Sequence, residues 1–563
     1  MIENLTKIIN ETCRDLEYKN IKIILSNREE LCDYQSDSAF ILAKEHKKAP
    51  FVVGNEIVET INKMDNFSDY FTKVEFVAPG FINITLSDKM INDYLIKMNT
   101  EDKFGIKKPN KKELFFLDYG GYNIAKPLHI GHLRPTIIGE SIKRIIKFKG
   151  HDTIADVHLG DYGLQMGQVI YGILNDKIEI KNITIDYLNE VYPKISSLCK
   201  EDETVKLKCN EITKKLQDKD ERYVKIWDRI LEVSLNDIKD LCNYLGVSFD
   251  LWQGESDANI YLKEVENILN SKNLLRLSEG ATIIDIAKET DKKEYPPMIF
   301  KTSGGGYLYG STDLATIYER KQKHNPDHII YVTDFRQSLH FEQFFRASDK
   351  ANFIPYESLE HAYNGTINGT DNKPFKTRSG AAPKLRELFE LVKETFISLK
   401  EENKCMDNED LDKIVNAIIK FADLQNSRDK DYIFDPIKFS NVVGKTGPYI
   451  LYTYLRIDKI LKNENISYNL SNKIYNNIDR KLRLKLITLE NSIELAFKER
   501  KPSFVAEYIY SLALLTNTFY QQNHITNLDD EENKQSWLYI LSLTNKIIKE
   551  MLYLIEIEIP KYM

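Results

Sequence analysis

The segment that most constrains this chain runs from residue 113 to 158. ELFFLDY (113–119) is an apolar run of strand length, and DTIADVH (152–158) reads as a second strand. Between them, GGYNIAKPLHIGH (120–132) holds too much glycine and proline to be regular throughout. Leu133, Ile137, Ile138, Ile142, Ile145 and Ile146 then recur at helical spacing, forming one buried stripe. Gly150 is placed to end that helix in the left-handed region, open to a residue without Cβ. Strand, crossover helix and second strand make a parallel βαβ unit.

The junction of strand end and helix start carries the chemistry. Helix N-termini expose unpaired amides and the positive end of the dipole, so Asn123-Ile-Ala-Lys126-Pro-Leu-His129-Ile-Gly131-His132 suits phosphate. Gly131 leaves room for a base or ribose against the backbone. His129 and His132, three apart, face the same side of a helical turn. With Lys126 they would surround a triphosphate with donors, which suits charge developing on a transferring phosphorus. An HxxH pair also reads as a metal pair or as two surface histidines; metal usually wants a third protein ligand, and none is evident nearby.

The chain's 563 residues exceed one core and imply roughly three to five units. Residues 1–108 alternate helix-like and strand-like stretches, and Pro79-Gly80 separates two β-rich runs as in a hairpin. Residues 101–112 read as a linker. Residues 176–290 are helix-rich and charged and read as an insertion; PPMIFK (296–301) and HIIYVTD (328–334) read as strands of the second half of a doubly wound sheet. From about residue 385 the pattern is helical, broken near 435–449. A net charge of −7 argues against wholesale coating of nucleic acid and leaves a local basic patch open. The six cysteines form no CxxC pair and read as free thiols in a reducing compartment, with no zinc site expected. With no signal layout and no apolar run near the ~18–20 residues of a membrane helix, the expected location is the cytoplasm.

DYGGYNIAKPLHIGHLRPTIIGESIKRI closely resembles the HIGH signature region of arginyl-tRNA synthetases. The resemblance continues through His158-Leu-Gly160-Asp161-Tyr-Gly163-Leu-Gln165-Met-Gly167, DYQSDSAFILAK (33–44), VAPGFINITLS (77–87), YVTDFRQSLHFEQFF (331–345), NKPFKTRSG (372–380) and TGPYILYTYLRI (446–457). Two departures stand out. Gly120-Gly121-Tyr122 replaces the family's Ser-Ser-Pro, a swap expected to loosen a loop, and Pro135 replaces a serine in what is expected to be the helix's first turn.

The resemblance implies an α/β class I catalytic core of Rossmann type at 109–365, an α+β N-terminal domain at 1–108 that touches the tRNA corner, a KMSKS-like loop with a stem-contact region at 366–435, and an all-α anticodon-binding domain at 436–563. It implies activation of L-arginine with ATP and transfer to tRNA(Arg), with Mg²⁺ accompanying the ATP and no protein metal site, by a monomer. Lys126, His129 and His132 would be catalytic; Gly131, Lys373 and Lys376 would join them around ATP, and Lys126 would compensate for a degenerate KMSKS stretch. Lys373, Lys376 and Arg378 read equally as a solvated basic turn. Arginine would be held by Asp118, Asn123, Tyr309, Asp313 and Gln337, because a guanidinium fork is best matched by carboxylates and amide oxygens. Tyr449, Tyr452 and Arg456 would meet tRNA bases, although tyrosines at this density also fill cores. RKLRLK (480–485) would meet the RNA backbone or form a solvated face. A cysteine-specific relative would call for zinc-ligand cysteines near the site, which are absent, and a catalytically dead RNA-binding relative would not need an intact Lys126, His129, His132 and Asp313.

Overall fold

The computed structural model describes residues 1–28, 30–375, 383–399, 406–466 and 469–563. Its centre is a four-stranded sheet of β5 (Leu114–Tyr119), β6 (Asp152–Asp156), β10 (His328–Val332) and β11 (Leu359–His361), ordered β11-β10-β5-β6. All three pairings are parallel. The chain leaves β5 toward β6 on one side, while β10 flanks β5 on the other. The crevice at the carboxyl ends of β5 and β10 is therefore the topological switch point, where ligands of such sheets bind.

The expected crossover helix spans Ile130–Lys149. Its six-residue apolar stripe is at most 2% exposed. Gly150 closes it at φ 101°. The helix is buried on nearly every side, because Arg134 pairs with Asp423 at 3.0 Å and Ser141 donates to the Leu554 carbonyl, both from the C-terminal part. Pro135 is its sixth residue, not part of the first turn, so the amide that would have met the Gly131 carbonyl is missing.

Ahead of this core lies an antiparallel sheet of β1 (Ile24–Leu25), β2 (Tyr34–Ser36), β3 (Phe71–Val77) and β4 (Phe81–Leu86), with β3 and β4 joined through Pro79-Gly80. After β6 come helices Leu164–Asn175, Ile185–Glu201, Glu203–Gln217 and Glu221–Tyr244. The region 176–290 is not helical to its end: β7 (Leu275–Ser278) and β8 (Ala281–Ile284) pair antiparallel with β9 (Met298–Lys301) in a separate three-stranded sheet. PPMIFK is thus a strand, but of this small sheet and not of the doubly wound one. Apolar content marks a strand without saying which partner it finds.

The chain ends in a bundle of Gly447–Lys462, Asn477–Ile487, Leu489–Glu499, Ser503–Asn523 and Glu531–Leu554. The two arginines of the basic run 480–485 turn inward, and Lys481 stays exposed. Arg483 is 0% exposed and bonded to Asp479 and to Asn92, while Arg480 pairs with Asp33 and Asp88. These two guanidiniums bolt the N-terminal sheet domain to the bundle, with Met1's ammonium on Glu490 at 2.8 Å beside them. Among the described residues no helix is long and apolar enough to cross a membrane. Five cysteines are free and buried, and Cys405 lies outside the described residues.

Candidate active site

The loop after β5, expected to be loosened by its Gly-Gly-Tyr sequence, is held by side chains. Tyr122 is 1% exposed, its hydroxyl is 2.8 Å from Thr136 Oγ1, and its ring sits so close to Gly120 that a Cβ there would lie 2.9 Å from it. Gly120, at φ 94°, makes room for the tyrosine ring, so the Gly-Gly-Tyr departure anchors the loop instead of loosening it. Downstream, Ala125 takes φ 58° with its amide donating to Ser234 Oγ, and Gln165 Nε2 donates to the Ile124 carbonyl at 2.5 Å.

The two histidines cap their own helix. His129 Nδ1 accepts from the Gly131 amide at 3.0 Å, and His132 Nδ1 accepts from the His129 amide at 3.1 Å. The rings lie 4.1 Å apart, centroid to centroid. A Cβ on Gly131 would lie 2.8 Å from the His129 ring, so glycine is required there by the histidine. Burial, then His129 and Lys126, pull His132 down to about 3; burial and Lys126 also lower His129. Both rings are therefore neutral near pH 7. Since each Nδ1 accepts, each Nε2 carries the proton and is a donor. This tautomer suits phosphate oxygens and disfavours a metal pair, since the Nδ1 lone pairs are already in use.

Lys126 stands beside them. Its Nζ lies 4.6 Å from the ring centre of Tyr192, and among the described residues it makes no hydrogen bond or ion pair. Leu128–Ile130 is tied to the segment after the KMSKS-like stretch: the Ile130 amide donates to Pro383 and the Leu385 amide to Leu128. Lys384 thereby pairs with His129, a neighbour the sequence reading missed. Lys373 is exposed in a turn, its carbonyl accepting from the Gly369 amide; Lys376 and Arg378 lie outside the described residues.

The facing wall comes from β6, from a stretch beside it and from the helix Tyr309–His324. Residues 251 and 254 bridge to Asp156 and Leu159, which sets Glu255 at the start of a one-turn helix over the carboxyl end of β6. Asp161 fixes that turn by accepting from the Ser256 amide and hydroxyl. Glu255 is pushed up to about 7 by burial, with Asp313 and Asp161 adding to the rise and His158 and Lys126 opposing it. The sequence reading did not single out Glu255; its only signal was its place in the Gln-Gly-Glu-Ser turn after the helical region. Asp313 accepts from His340 at 2.5 Å, and Tyr309, one turn earlier, is 69% exposed. Gln337 is exposed one turn before His340, and Asn123 lies over Gly160, whose added Cβ would come within 2.6 Å of its Oδ1.

Asp118 is placed differently from the expectation. It is 7% exposed and forms the floor of the cleft, accepting from Arg320 Nη2 at 2.6 Å, while the same nitrogen meets Asp156 at 2.8 Å. Burial alone would lower Arg320; the two carboxylates outweigh it and raise it. Asp118, Asp156 and His158 are also the three-residue group among the described residues with metal-ligand proximity. Arg320 already supplies the positive charge there, so the cluster does not fit a cation.

In the bundle, Tyr449 accepts from Asn517 Nδ2 at 3.0 Å and is half-buried, Tyr452 is 48% exposed, and Arg456 stacks 4.5 Å over Tyr520.

Family profiles match at residues 1–86 ("Arginyl tRNA synthetase N terminal domain"), 91–436 ("tRNA synthetases class I (R), catalytic domain") and 450–563 ("DALR anticodon binding domain"). The chain is 39% identical to an arginine–tRNA ligase of Alkaliphilus oremlandii, over 96% of this chain and 95% of that protein. It is 38% identical to one of Agathobacter rectalis, over 100% and 98%. Arginyl-tRNA synthetase of Plasmodium falciparum superposes with TM-score 0.82 at 26% identity, covering 100% of this chain and 99% of that one. The Thermus thermophilus enzyme, at TM-score 0.83 and 19% identity with 100% of both chains covered, shares the fold. The chain belongs to the arginyl-tRNA synthetase family of class I aminoacyl-tRNA synthetases.

Proposed function

We propose that the cleft joins L-arginine to ATP and then passes the arginyl group to the 3′-terminal adenosine of tRNA(Arg). An arginine carboxylate oxygen attacks the α-phosphorus, and the bond to pyrophosphate breaks. A terminal ribose hydroxyl next attacks the arginyl carbonyl, and AMP leaves. The substrates supply nucleophile and leaving group, so the protein contributes positioning and charge stabilisation.

In this reading His129 and His132 donate from Nε2 to phosphate oxygens, Lys126 neutralises charge that grows as pyrophosphate departs, and Gly131 lets the nucleotide approach. Lys373 and Lys376 would add positive charge for the phosphates. Glu255 and Asp313 grip the guanidinium as two acceptors, beside Tyr309, Asn123 and Gln337; Asp118 supports from the floor through Arg320. Mg²⁺ rides with the triphosphate as its counter-ion, and no protein ligand set is assigned to it. Tyr452, with Tyr449 and Arg456, offers stacking surface to tRNA bases. Domain borders at 108/109, 365/366 and 435/436, a monomeric state and a cytoplasmic location complete the reading.

The observation that carries it is one cleft with two neutral donor imidazoles and a free ammonium on one wall, and on the other a buried Glu255 that Asp313 helps to raise. Lys126→Ala should slow arginine-dependent ATP–pyrophosphate exchange, run with tRNA present, by about 10²–10³-fold, the usual cost of a lost transition-state donor. Arginine affinity should stay nearly intact. Wild-type exchange by this variant would refute the assignment.

A further inference from the structure

One side chain in the cleft belongs to neither wall. Tyr192 arrives from the helix Ile185–Glu201, in the helical region inserted after β6. Its ring is 4.6 Å from Lys126 Nζ. The next residue is Pro193, inside the helix, where a missing amide leaves the Asn189 carbonyl without its helical partner; Asn189 Oδ1 is buried and unpaired as well. Prolines at such positions bend helices. The gap in the helix's hydrogen bonding thus falls next to the residue that reaches Lys126.

Resting on the ATP reading of Lys126 given above, we propose that Tyr192 is a positioning residue for it: the ring holds the ammonium over the cleft so that it meets the triphosphate already aimed. A lysine is a flexible four-carbon stem whose rotamer freedom must be lost on binding phosphate. An aromatic face restricts that freedom while leaving the N–H donors free for oxygen acceptors. The ring, not the hydroxyl, does this, since no hydrogen bond ties the phenol to Lys126.

The test is exchange kinetics on the full chain with tRNA present, using Tyr192→Phe, Tyr192→Leu, Lys126→Ala and the double variant Lys126→Ala/Tyr192→Leu. Tyr192→Phe keeps the face and should stay within about twofold of wild type. Tyr192→Leu should lose about 2- to 30-fold in kcat/KM for ATP, the range of a cation–π contact, with KM for arginine changing less. On the Lys126→Ala background Tyr192→Leu should add nothing. Where exchange by Lys126→Ala is too slow to read, ATP affinity by equilibrium dialysis replaces it in the same cycle. A Tyr192→Leu loss that persists in full without Lys126 marks a merely structural role and overturns the proposal, as does wild-type or faster exchange by Tyr192→Leu. Wild-type exchange by Lys126→Ala instead sinks the ATP assignment of the lysine itself, whatever Tyr192 does.

Discussion

Arginine affinity should depend on pH through Glu255. Its carboxyl is pushed up to about 7, so the charged form that a guanidinium needs appears above neutrality and is lost as pH falls. With that midpoint the ionised fraction is about one-eleventh at pH 6 and ten-elevenths at pH 8, so arginine should bind about tenfold tighter at pH 8, or ~1.4 kcal/mol. Glu255→Gln keeps the shape and removes the charge. A hydrogen bond to a charged group is worth about 1.5–3 kcal/mol, so the variant should bind about 10- to 150-fold more weakly at pH 8. At pH 6, where most wild-type carboxyls are already protonated, the gap should shrink about tenfold and the variant's own pH slope should vanish. Calorimetric titration of arginine into the full chain at pH 6, 7 and 8 reads all three quantities. The same slope in wild type and variant, or a wild-type Kd that does not change with pH, would refute the reasoning.

Other expectations follow from single contacts. Asp313→Asn should raise the KM for arginine far more than that for ATP; an unchanged arginine KM counts against the carboxylate pair. Tyr122→Ala should cost the catalytic core about 3–5 kcal/mol, the range for a large buried ring, read as a lower denaturation midpoint. Arg483→Ala leaves Asp479 buried and unpaired at a cost of about 3–5 kcal/mol and should make the N-terminal domain a target for limited proteolysis; undiminished resistance would contradict the joint. Tyr452→Ala should raise the KM for tRNA by about 5- to 150-fold through lost stacking while leaving both small substrates alone.

The βαβ unit and the donor cluster were legible because period and chemistry coincide there: the 133–146 stripe fixes the helix, and Lys126, His129 and His132 sit where it must begin. The parts that escaped are set by distant partners. Arg134 looks like a solvated helix residue until Asp423 is brought to it from 289 positions away. RKLRLK reads as basic surface until Asp33, Asp88 and Asn92 close over Arg480 and Arg483. Asp118 looks free to face substrate until Arg320, on the helix that also carries Asp313, turns inward beneath it. Glu255 and Tyr192 were missed for the same reason, since nothing local says that a loop and a charged helix return to the cleft.

The most direct test is a crystal structure of the full chain with arginine and a non-hydrolysable ATP analogue. The guanidinium should lie against Glu255 and Asp313, and the phosphates within hydrogen-bond reach of Lys126 Nζ and of Nε2 on His129 and His132. Phosphates bound away from those three donors, or a guanidinium away from both carboxylates, would contradict the account.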